Sequence, residues 1–304
     1  MEARAFGRFK MDWRVKAVAY RALSTMPFGR NLYWLAQKYV THALPRRLAP
    51  TTETAHWFVR RLDDFKKLYK GAIGDARYLE FGAGWDLYSN VANWCLGFNC
   101  QKVVDVNKWA TKEQVNHSIQ HLMSDPVIGA VRQPSRLLQS RDWLSELAGE
   151  YGIEYVAPCD VTTLPDSSVD LVSSISVLEH IPAATLPSIA SALRKVCKVG
   201  GVMAHSVDYS DHYSHSDAGI NGYHFLQFSQ QQWKLVNPKF NYQNRLRHCD
   251  HRQIFVDAGF EIVDEEAIVP DNAEFLLDSI HLSSEFLHYR KEDILPVVGY
   301  FLMR

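Results

Sequence analysis

The 304-residue sequence predicts an α/β protein with a doubly wound, mostly parallel sheet of seven strands and a helical cap at the N-terminus. Two observations predict this class. From residue 77 onward, short apolar segments alternate with helical segments, and a glycine-rich turn follows the first apolar segment. Before residue 71 the pattern is helical. We therefore divide the chain into a cap, residues 1–70, and a sheet domain, residues 71–304.

The N-terminal region is predicted to be helical and is basic. Apolar residues recur at steps of three and four over residues 12–43, and Pro27-Phe28-Gly29 interrupts them. The segment 51–70 starts with a Thr-Thr-Glu capping pattern. Residues 1–70 hold 15 basic and 5 acidic residues, whereas the remainder holds 18 and 29. Such a basic arm either faces an anionic membrane or an acidic substrate, or it packs on the acidic remainder or is solvated.

The sheet domain contains seven predicted strands with helices between them. The strands are 77–81, 101–107, 153–160, 169–177, 200–208, 261–269 and 294–304. The helices are 87–98, an interrupted stretch within 109–150, 186–198 and 251–260. Sheets of this kind bind ligands at the carboxyl ends of their strands, near the point where the strand order reverses.

The composition argues against several classes of protein. No run of eighteen apolar residues occurs, and the first twenty residues carry scattered charges instead of an apolar signal core. The five cysteines form no Cys-x-x-Cys pair, which favours reduced thiols in a cytoplasmic protein. The catalytic half has no long basic stripe with interleaved aromatic residues, so we expect no nucleic-acid partner.

The first predicted strand leads into a glycine turn. The turn contains Glu80, Gly82, Ala83 and Gly84. A dinucleotide-binding fingerprint needs a third small residue, and the bulky Leu87 stands at that position. This argues against a nicotinamide cofactor. A carboxylate just before small residues suits instead a ligand that carries an ammonium group and approaches the backbone closely.

This turn resembles motif I of the class I S-adenosylmethionine-dependent methyltransferases, a Rossmann-like family, and the resemblance continues in order to residue 304. It implies that Asp105, after the second strand, binds the ribose hydroxyls and that Asp160, after the third, binds the adenine amino group. One departure is Asp86, where the commonest motif has a third glycine. The implied cofactor-binding residues are Glu80, Gly82, Ala83, Gly84, Asp105, Asp160, Val161 and Ser176.

A polar stretch at residues 205–225 follows the fifth strand, where an acceptor is expected. Methyl transfer to a hydroxyl requires alignment of the acceptor and removal of its proton. The candidate catalytic residues are Asp208, Asp211, His212 and His205. The alternatives are a divalent metal site and a solvated polar loop. Because this stretch contains no ligand spacing such as His-x-x-x-His on a predicted helix, we assign no metal ligand.

Glu179 and His180 follow the fourth strand and raise the same question. In some small-molecule O-methyltransferases of this superfamily, carboxylates and a histidine in the matching motif bind a metal. The acid that precedes them there corresponds to Ser176 in this sequence. The alternative is that Glu179 and His180 line the start of a helix.

Candidate substrate-binding residues come from the same region. Arg245 and Arg247 share one face of an extended segment and suit a carboxylate or phosphate, unless they form ion pairs within the chain. We add His215 to this set. A looser resemblance to bacterial methyltransferases of glycan or secondary-metabolite assembly implies a substrate loop at about 208–248. Its aromatic residues either stack on a sugar or ring or form the loop's own core.

The sequence therefore predicts an S-adenosylmethionine-dependent methyltransferase that acts on a small molecule, most simply on an oxygen of a glycan or secondary metabolite. A non-catalytic cofactor-binding or assembly protein on the same fold is the first alternative. A nicotinamide oxidoreductase is the second. The sequence leaves open the acceptor, the need for a divalent metal and the oligomeric state.

Overall fold

A computed structural model describes residues 11–41, 43–82 and 84–304, without the side chains of 52–58. It confirms the predicted fold class, a seven-stranded and mostly parallel sheet with helices on both faces. The strands are β1 (Arg77–Phe81), β2 (Cys100–Val104), β3 (Ile153–Val156), β4 (Val169–Ile175), β5 (Cys197–Asp208), β6 (Ile262–Ile268) and β7 (Val298–Met303).

The strand order is β3-β2-β1-β4-β5-β7-β6. The first five strands in this order are parallel, and β7 runs antiparallel to both β5 and β6. The order reverses between β1 and β4, which are adjacent in the sheet. The carboxyl ends of these two strands therefore mark the crevice where a ligand is expected.

The helices have the following bounds: α1 (Trp13–Thr25), α2 (Gly29–Leu35), α3 (Thr51–Leu68), α4 (Tyr88–Cys95), α5 (Lys112–Ser124), α6 (Trp143–Tyr151), α7 (Leu186–Val196), α8 (Gln230–Val236), α9 (His248–Asp257), α10 (Ala273–Asp278) and α11 (Lys291–Ile294). Buried apolar residues of α3 to α6 form a core on one face of the sheet. Those of α7 and α9 form a second core on the other face. None of the helices in the described ranges has the length and apolarity needed to cross a membrane.

The predicted break in the N-terminal helix is present. Asp12 caps α1, and its carboxylate accepts the Arg14 N–H at 2.8 Å. The helix stops before Pro27, and Phe28 adopts a left-handed conformation with φ 61°. Since a proline and a left-handed residue both interrupt helical hydrogen bonding, α1 and α2 are separate helices.

A third core lies outside the sheet and joins the segment 208–248, here called the insert, to α1, α10 and α11. Trp13 of α1 is buried against Tyr213 and Phe228 of the insert, with ring centroids 5.9 and 5.6 Å apart. Four aromatic side chains of the insert are buried here, at Tyr213, Tyr223, Phe225 and Trp233. Of the two roles that the sequence left open for them, the structure shows the internal core.

Candidate functional site

The glycine turn after β1 lies at the reversal point of the strand order. Gly82 has φ +79°, and a Cβ there would lie 2.3 Å from Cγ2 of Val177 in the loop after β4. Gly84 has φ +66°, and a Cβ there would meet no atom of the described residues within 4 Å. Gly82 therefore permits close packing of two loops, whereas Gly84 opens onto space that a ligand can use. Ala83 lies outside the described residues.

Glu80 lies on β1 just below this turn and is 4% exposed. Its Oε2 atom accepts hydrogen bonds from the Tyr78 hydroxyl at 2.8 Å and the Ser173 hydroxyl at 3.5 Å. Burial raises the pKa of Glu80, and the positive charge of Arg61 opposes this shift. Two strands thus hold the carboxylate in a fixed orientation beneath the turn.

Asp105 and Asp160 follow β2 and β3, as the resemblance implies. Asp105 is buried and accepts the Asn107 N–H at 2.8 Å. Burial raises the pKa of Asp105, and the backbone N–H group partly offsets this. Asp160 is exposed and accepts the Thr162 N–H at 2.9 Å, and the buried Val161 follows it. Because β1, β2 and β3 are adjacent and parallel, three carboxylates succeed one another along one edge of the sheet.

The loop after β4 borders the same crevice. Ser176 has φ 52°, its side chain is exposed, and its backbone N–H donates to the Ser206 carbonyl of β5 at 3.0 Å. The loop therefore turns sharply at the end of the strand and directs the next residues, Val177 to His180, over the glycine turn and the end of β5.

Aromatic residues that the sequence analysis did not select cover the outer side of the glycine turn. Trp85 and Trp109 lie with ring centroids 4.4 Å apart, and Tyr33 of α2 lies 6.2 Å from Trp85. Arg46 forms an ion pair with Asp86 at 2.9 Å. The N-terminal region thus touches the turn directly. The one sign of these aromatic contacts in the sequence is the tryptophan immediately after the second glycine of the turn.

Histidines and acids gather at the carboxyl ends of β4 and β5, and we call Glu179, His180, Asp208, His212 and His215 the polar cluster. An oxygen of Asp208 lies 3.4 Å from Nε2 of His212 and 3.8 Å from Nε2 of His215. The rings of His180 and His212 have centroids 5.0 Å apart. Burial alone would raise the pKa of Asp208, but His212 and Ser210 together lower it to about 2. Asp208 is therefore a carboxylate that orients an imidazole.

Asp211 has a different partner from the one that its place beside His212 in the sequence suggested. It is fully buried, and its Oδ2 lies 2.9 Å from Nδ1 of His224. Its Oδ1 accepts the Tyr213 N–H at 2.8 Å. The ring of His224 in turn packs on Trp13 with centroids 4.9 Å apart. Asp211 thus fixes the insert against α1, and the pair that faces the crevice is Asp208 and His212.

His205 lies within β5 and is completely buried. Its Nδ1 lies 2.8 Å from the Ser174 hydroxyl of β4, and its ring stacks on Phe255 of α9 with centroids 5.7 Å apart. Burial lowers its pKa to about 3. These contacts place His205 in the core between sheet and helix, away from the polar cluster.

Both arginines of the predicted substrate set are engaged inside the protein. Arg247 is fully buried and donates to the carbonyls of Tyr209, Ile294 and Pro296 at 3.0, 2.7 and 2.6 Å. Arg245 donates to the Phe225 carbonyl at 3.0 Å and forms an ion pair with Glu285 at 3.2 Å. Each guanidinium therefore joins the insert to the C-terminal part of the chain. Arg245 forms the internal ion pair that the sequence left open, whereas Arg247 is held by backbone carbonyls.

Comparison with solved structures finds similarity to chains described as S-adenosylmethionine-dependent methyltransferases. One from Mesorhizobium loti has 14% identity and a TM-score of 0.45, covering 84% of this chain and 99% of that chain. One from Archaeoglobus fulgidus has 13% identity and a TM-score of 0.43, covering 90% and 98%. The Haemonchus contortus phosphoethanolamine N-methyltransferase 2 has 14% identity and a TM-score of 0.49, covering 93% of this chain and 59% of its own. No protein-family model and no curated protein matches the sequence.

Proposed function

We propose that the protein transfers a methyl group from S-adenosylmethionine to a small-molecule acceptor. The observation that supports this best is the row of carboxylates at the ends of β1, β2 and β3, beside a glycine turn that stays open at Gly84. Glu80 suits the amino group of the cofactor, Asp105 the ribose hydroxyls and Asp160 the adenine amino group. These three acceptors match the hydrogen-bond donors of one nucleoside in the order in which the strands lie.

The residues present fit this cofactor. Gly84 leaves room for a ligand close to the backbone, and Glu80 is a preoriented carboxylate next to that room. When bound, S-adenosylmethionine supplies an electrophilic methyl group on a sulfonium. Trp85 and Trp109 stand beside the turn and are suited to exclude water from it.

The acceptor is expected over β4 and β5, where the polar cluster lies. We propose an oxygen acceptor, as in a glycan or secondary metabolite, because a hydroxyl needs a group that takes its proton and the Asp208–His212 pair supplies one. His215 lies against the same carboxylate. It is the member of the predicted substrate set that lies in the polar cluster, because the other two, both arginines, are held inside the protein. The insert forms the wall on this side.

Calorimetric titration of the purified protein with S-adenosylhomocysteine, and separately with NAD, tests the cofactor. We expect binding of S-adenosylhomocysteine alone. Asp105→Asn removes a charged acceptor, and such hydrogen bonds contribute about 1.5–3 kcal/mol, so its affinity should fall about 10- to 100-fold. Asp271→Asn, at an exposed turn after β6, is the matched control and should bind normally. Binding of NAD instead would overturn the proposal.

A transfer assay with labelled methyl donor and candidate acceptors tests the reaction. We expect His212→Asn to retain S-adenosylhomocysteine binding while transfer falls about 100-fold or more, in line with loss of a general base. If the native protein binds the cofactor but labels no acceptor, the alternative of a cofactor-binding assembly protein on this fold is favoured. If His212→Asn transfers normally, His212 is not the base.

A further inference from the structure

Three side chains with metal-binding atoms meet within the polar cluster, although they come from two distant segments. Glu179 and His180 lie on the 3-10 turn Leu178–His180 after β4, and His212 lies in the insert after β5. One donor atom from each of the three residues lies within 4.8 Å of the other two. Donors on one Zn²⁺ at about 2.0–2.2 Å are roughly 3.4 Å apart, so side-chain rotations of about 1 Å would bring all three onto one ion.

Glu179 is the strongest sign of a missing partner. It is 2% exposed, and within the described part of the chain neither of its carboxylate oxygens has a hydrogen-bond partner. A carboxylate buried in this way is strongly unfavourable unless it takes up a proton or a positive group faces it. Burial raises the pKa of Glu179 well above its usual range and the negative Asp208 raises it further, whereas the backbone N–H groups of Glu179 and Asp208 lower it. A cation held between Glu179 and the two histidines would balance both carboxylates.

His180 is in the tautomer that a metal ligand requires. Its Nδ1 lies 2.7 Å from the carbonyl oxygen of Tyr242. A carbonyl only accepts hydrogen bonds, so Nδ1 carries the proton and Nε2 keeps its lone pair. Asp208, 3.4 Å from His212, supplies the kind of neighbouring carboxylate that orients metal-bound histidines. Both rings are thus held by groups outside the three ligands.

The geometry points to a binding site for a divalent transition-metal ion, with Glu179, His180 and His212 as its ligands. Two imidazoles and one carboxylate suit Zn²⁺, Fe²⁺ or Co²⁺, whereas Mg²⁺ prefers oxygen ligands and water. Three protein ligands leave a coordination position open, and His180 is exposed, so the site is accessible. The predicted absence of metal ligands gives way to this set because the third ligand is brought in by folding.

This inference deepens the proposed function, and the role of the ion, though not its binding, rests on that function. An ion here would hold an acceptor oxygen beside the cofactor crevice and favour loss of its proton. His212 would then act as a ligand and not as the proton acceptor. Replacement of His212 distinguishes the two roles, because it lowers metal affinity only if His212 is a ligand.

Titration of the purified, chelator-treated full-length protein with Co²⁺ tests the site, because bound Co²⁺ has visible absorption bands that report its ligands. We expect one ion per chain. Glu179→Gln and His212→Gln should each weaken binding at least tenfold. His281→Gln, at an exposed position far along the chain, is the matched control and should bind as the native protein does. Mg²⁺ should bind more weakly than Co²⁺ or Zn²⁺.

A thermal-unfolding measurement provides a second test, in case a variant binds metal poorly for a reason other than the loss of a ligand. Zn²⁺ should raise the unfolding temperature of the native protein but not that of Glu179→Gln, which should be at least as stable as the native protein without metal. Absence of Co²⁺ binding by the native protein, or normal binding by both ligand variants, would overturn the site. Titration with S-adenosylhomocysteine in parallel separates this failure from failure of the proposed function.

A second inference comes from the surface of α1 and α2. Val15, Val18, Ala19, Ala22 and Met26 form one apolar stripe along α1, and all are exposed. Exposed apolar residues also occur beside and along α2 and the π-helical turn Ala36–Val40, at Phe28, Leu32, Leu35, Tyr39 and Val40. The stripe lies opposite the buried Trp13 and Ala17. An apolar surface of this extent normally has a binding partner.

We infer that this face rests on an anionic membrane surface. Residues 11–50 contain seven basic residues and one acidic residue. Lys38 and Arg46 pair with Glu113 and Asp86, and the segment keeps an excess of positive charge after these pairs are counted. An exposed apolar face combined with excess positive charge is the pattern of helices that lie in the plane of a membrane interface.

Flotation with vesicles of phosphatidylcholine alone, or with phosphatidylglycerol added, tests this contact. We expect association with the anionic vesicles, weaker binding at high salt, and at least a fivefold loss in Val18→Asp and Phe28→Asp. Val199→Asp is the matched control, since Val199 is 95% exposed on another part of the molecule. Absence of flotation overturns the inference, as does a dimer in solution that the same two variants dissociate.

Discussion

The two halves of the carboxyl edge of the sheet are built in different ways. Over β1, β2 and β3, each acidic residue belongs to the end of its own strand, and all but Glu80, which also contacts Ser173 of β4, are held by groups close to them in the chain. Asp105 accepts the N–H of Asn107, and Asp160 accepts the N–H of Thr162. Over β4 and β5, the residues come from distant segments. Glu179 and His212 are 33 positions apart and share one site.

The two halves therefore differ in the support that they require from the rest of the molecule. The half over β1, β2 and β3, called the cofactor half after its proposed ligand, depends mainly on short-range geometry, and strand order aligns its carboxylates. The half over β4 and β5, called the acceptor half after its proposed ligand, depends on the insert, which is held in place by a separate core and by buried arginines. We therefore expect mutations in the supports of the insert to disturb the polar cluster while the cofactor half still binds its ligand.

Arg247→Ala should have the largest effect. Three backbone carbonyls would lose a fully buried donor, and each buried acceptor left unpaired costs about 1–3 kcal/mol of unfolding free energy. Urea denaturation measures this. Arg252→Ala removes an exposed arginine that pairs with Glu265, and should cost less than about 1 kcal/mol. If Arg247→Ala were as stable as the native protein but bound its acceptor poorly, the substrate role expected from the sequence would stand.

Gly82→Ala should have the next largest effect. Left-handed backbone costs about 1–2 kcal/mol for a non-glycine residue, and contact of the new methyl group with Val177 adds about 1–3 kcal/mol. Both S-adenosylhomocysteine affinity and unfolding free energy should fall. The double variant Gly82→Ala/Val177→Ala should recover the part due to contact. Equal losses in the single and double variants would show that the two loops do not press on each other.

His205→Asn should change how stability depends on pH. The folded protein keeps His205 neutral to about pH 3, whereas the unfolded chain takes up a proton below about pH 6.5. The unfolding free energy should therefore decrease as the pH falls from 6.5 to 5, by roughly 1.5 kcal/mol from this residue. The variant should show a smaller decrease, and His281→Asn should match the native protein. An unchanged pH profile together with lost methyl transfer would return His205 to the catalytic residues.

Much of the cofactor half could be predicted because its signals are local. Apolar strands, a glycine turn and an acid at each strand end are visible within a few residues of one another. For the acceptor half, the sequence revealed only that the region is rich in histidines and acids. It identified them as candidate site residues, but it did not show that Asp211 pairs with His224 while Asp208 faces His212. Adjacent residues in a turning loop point in different directions, so proximity along the chain does not predict partners there.

The sequence by itself determined the α/β class, the order of strands and helices and the acids at the ends of β1 to β3, because periodicity and turn chemistry act over a few residues. Tertiary structure alone decided that Arg245 and Arg247 are internal supports, that the aromatic residues of the insert form a core with α1, and that Glu179, His180 and His212 meet. These arrangements join segments tens to hundreds of residues apart, so they arise from packing and not from any local pattern in the chain.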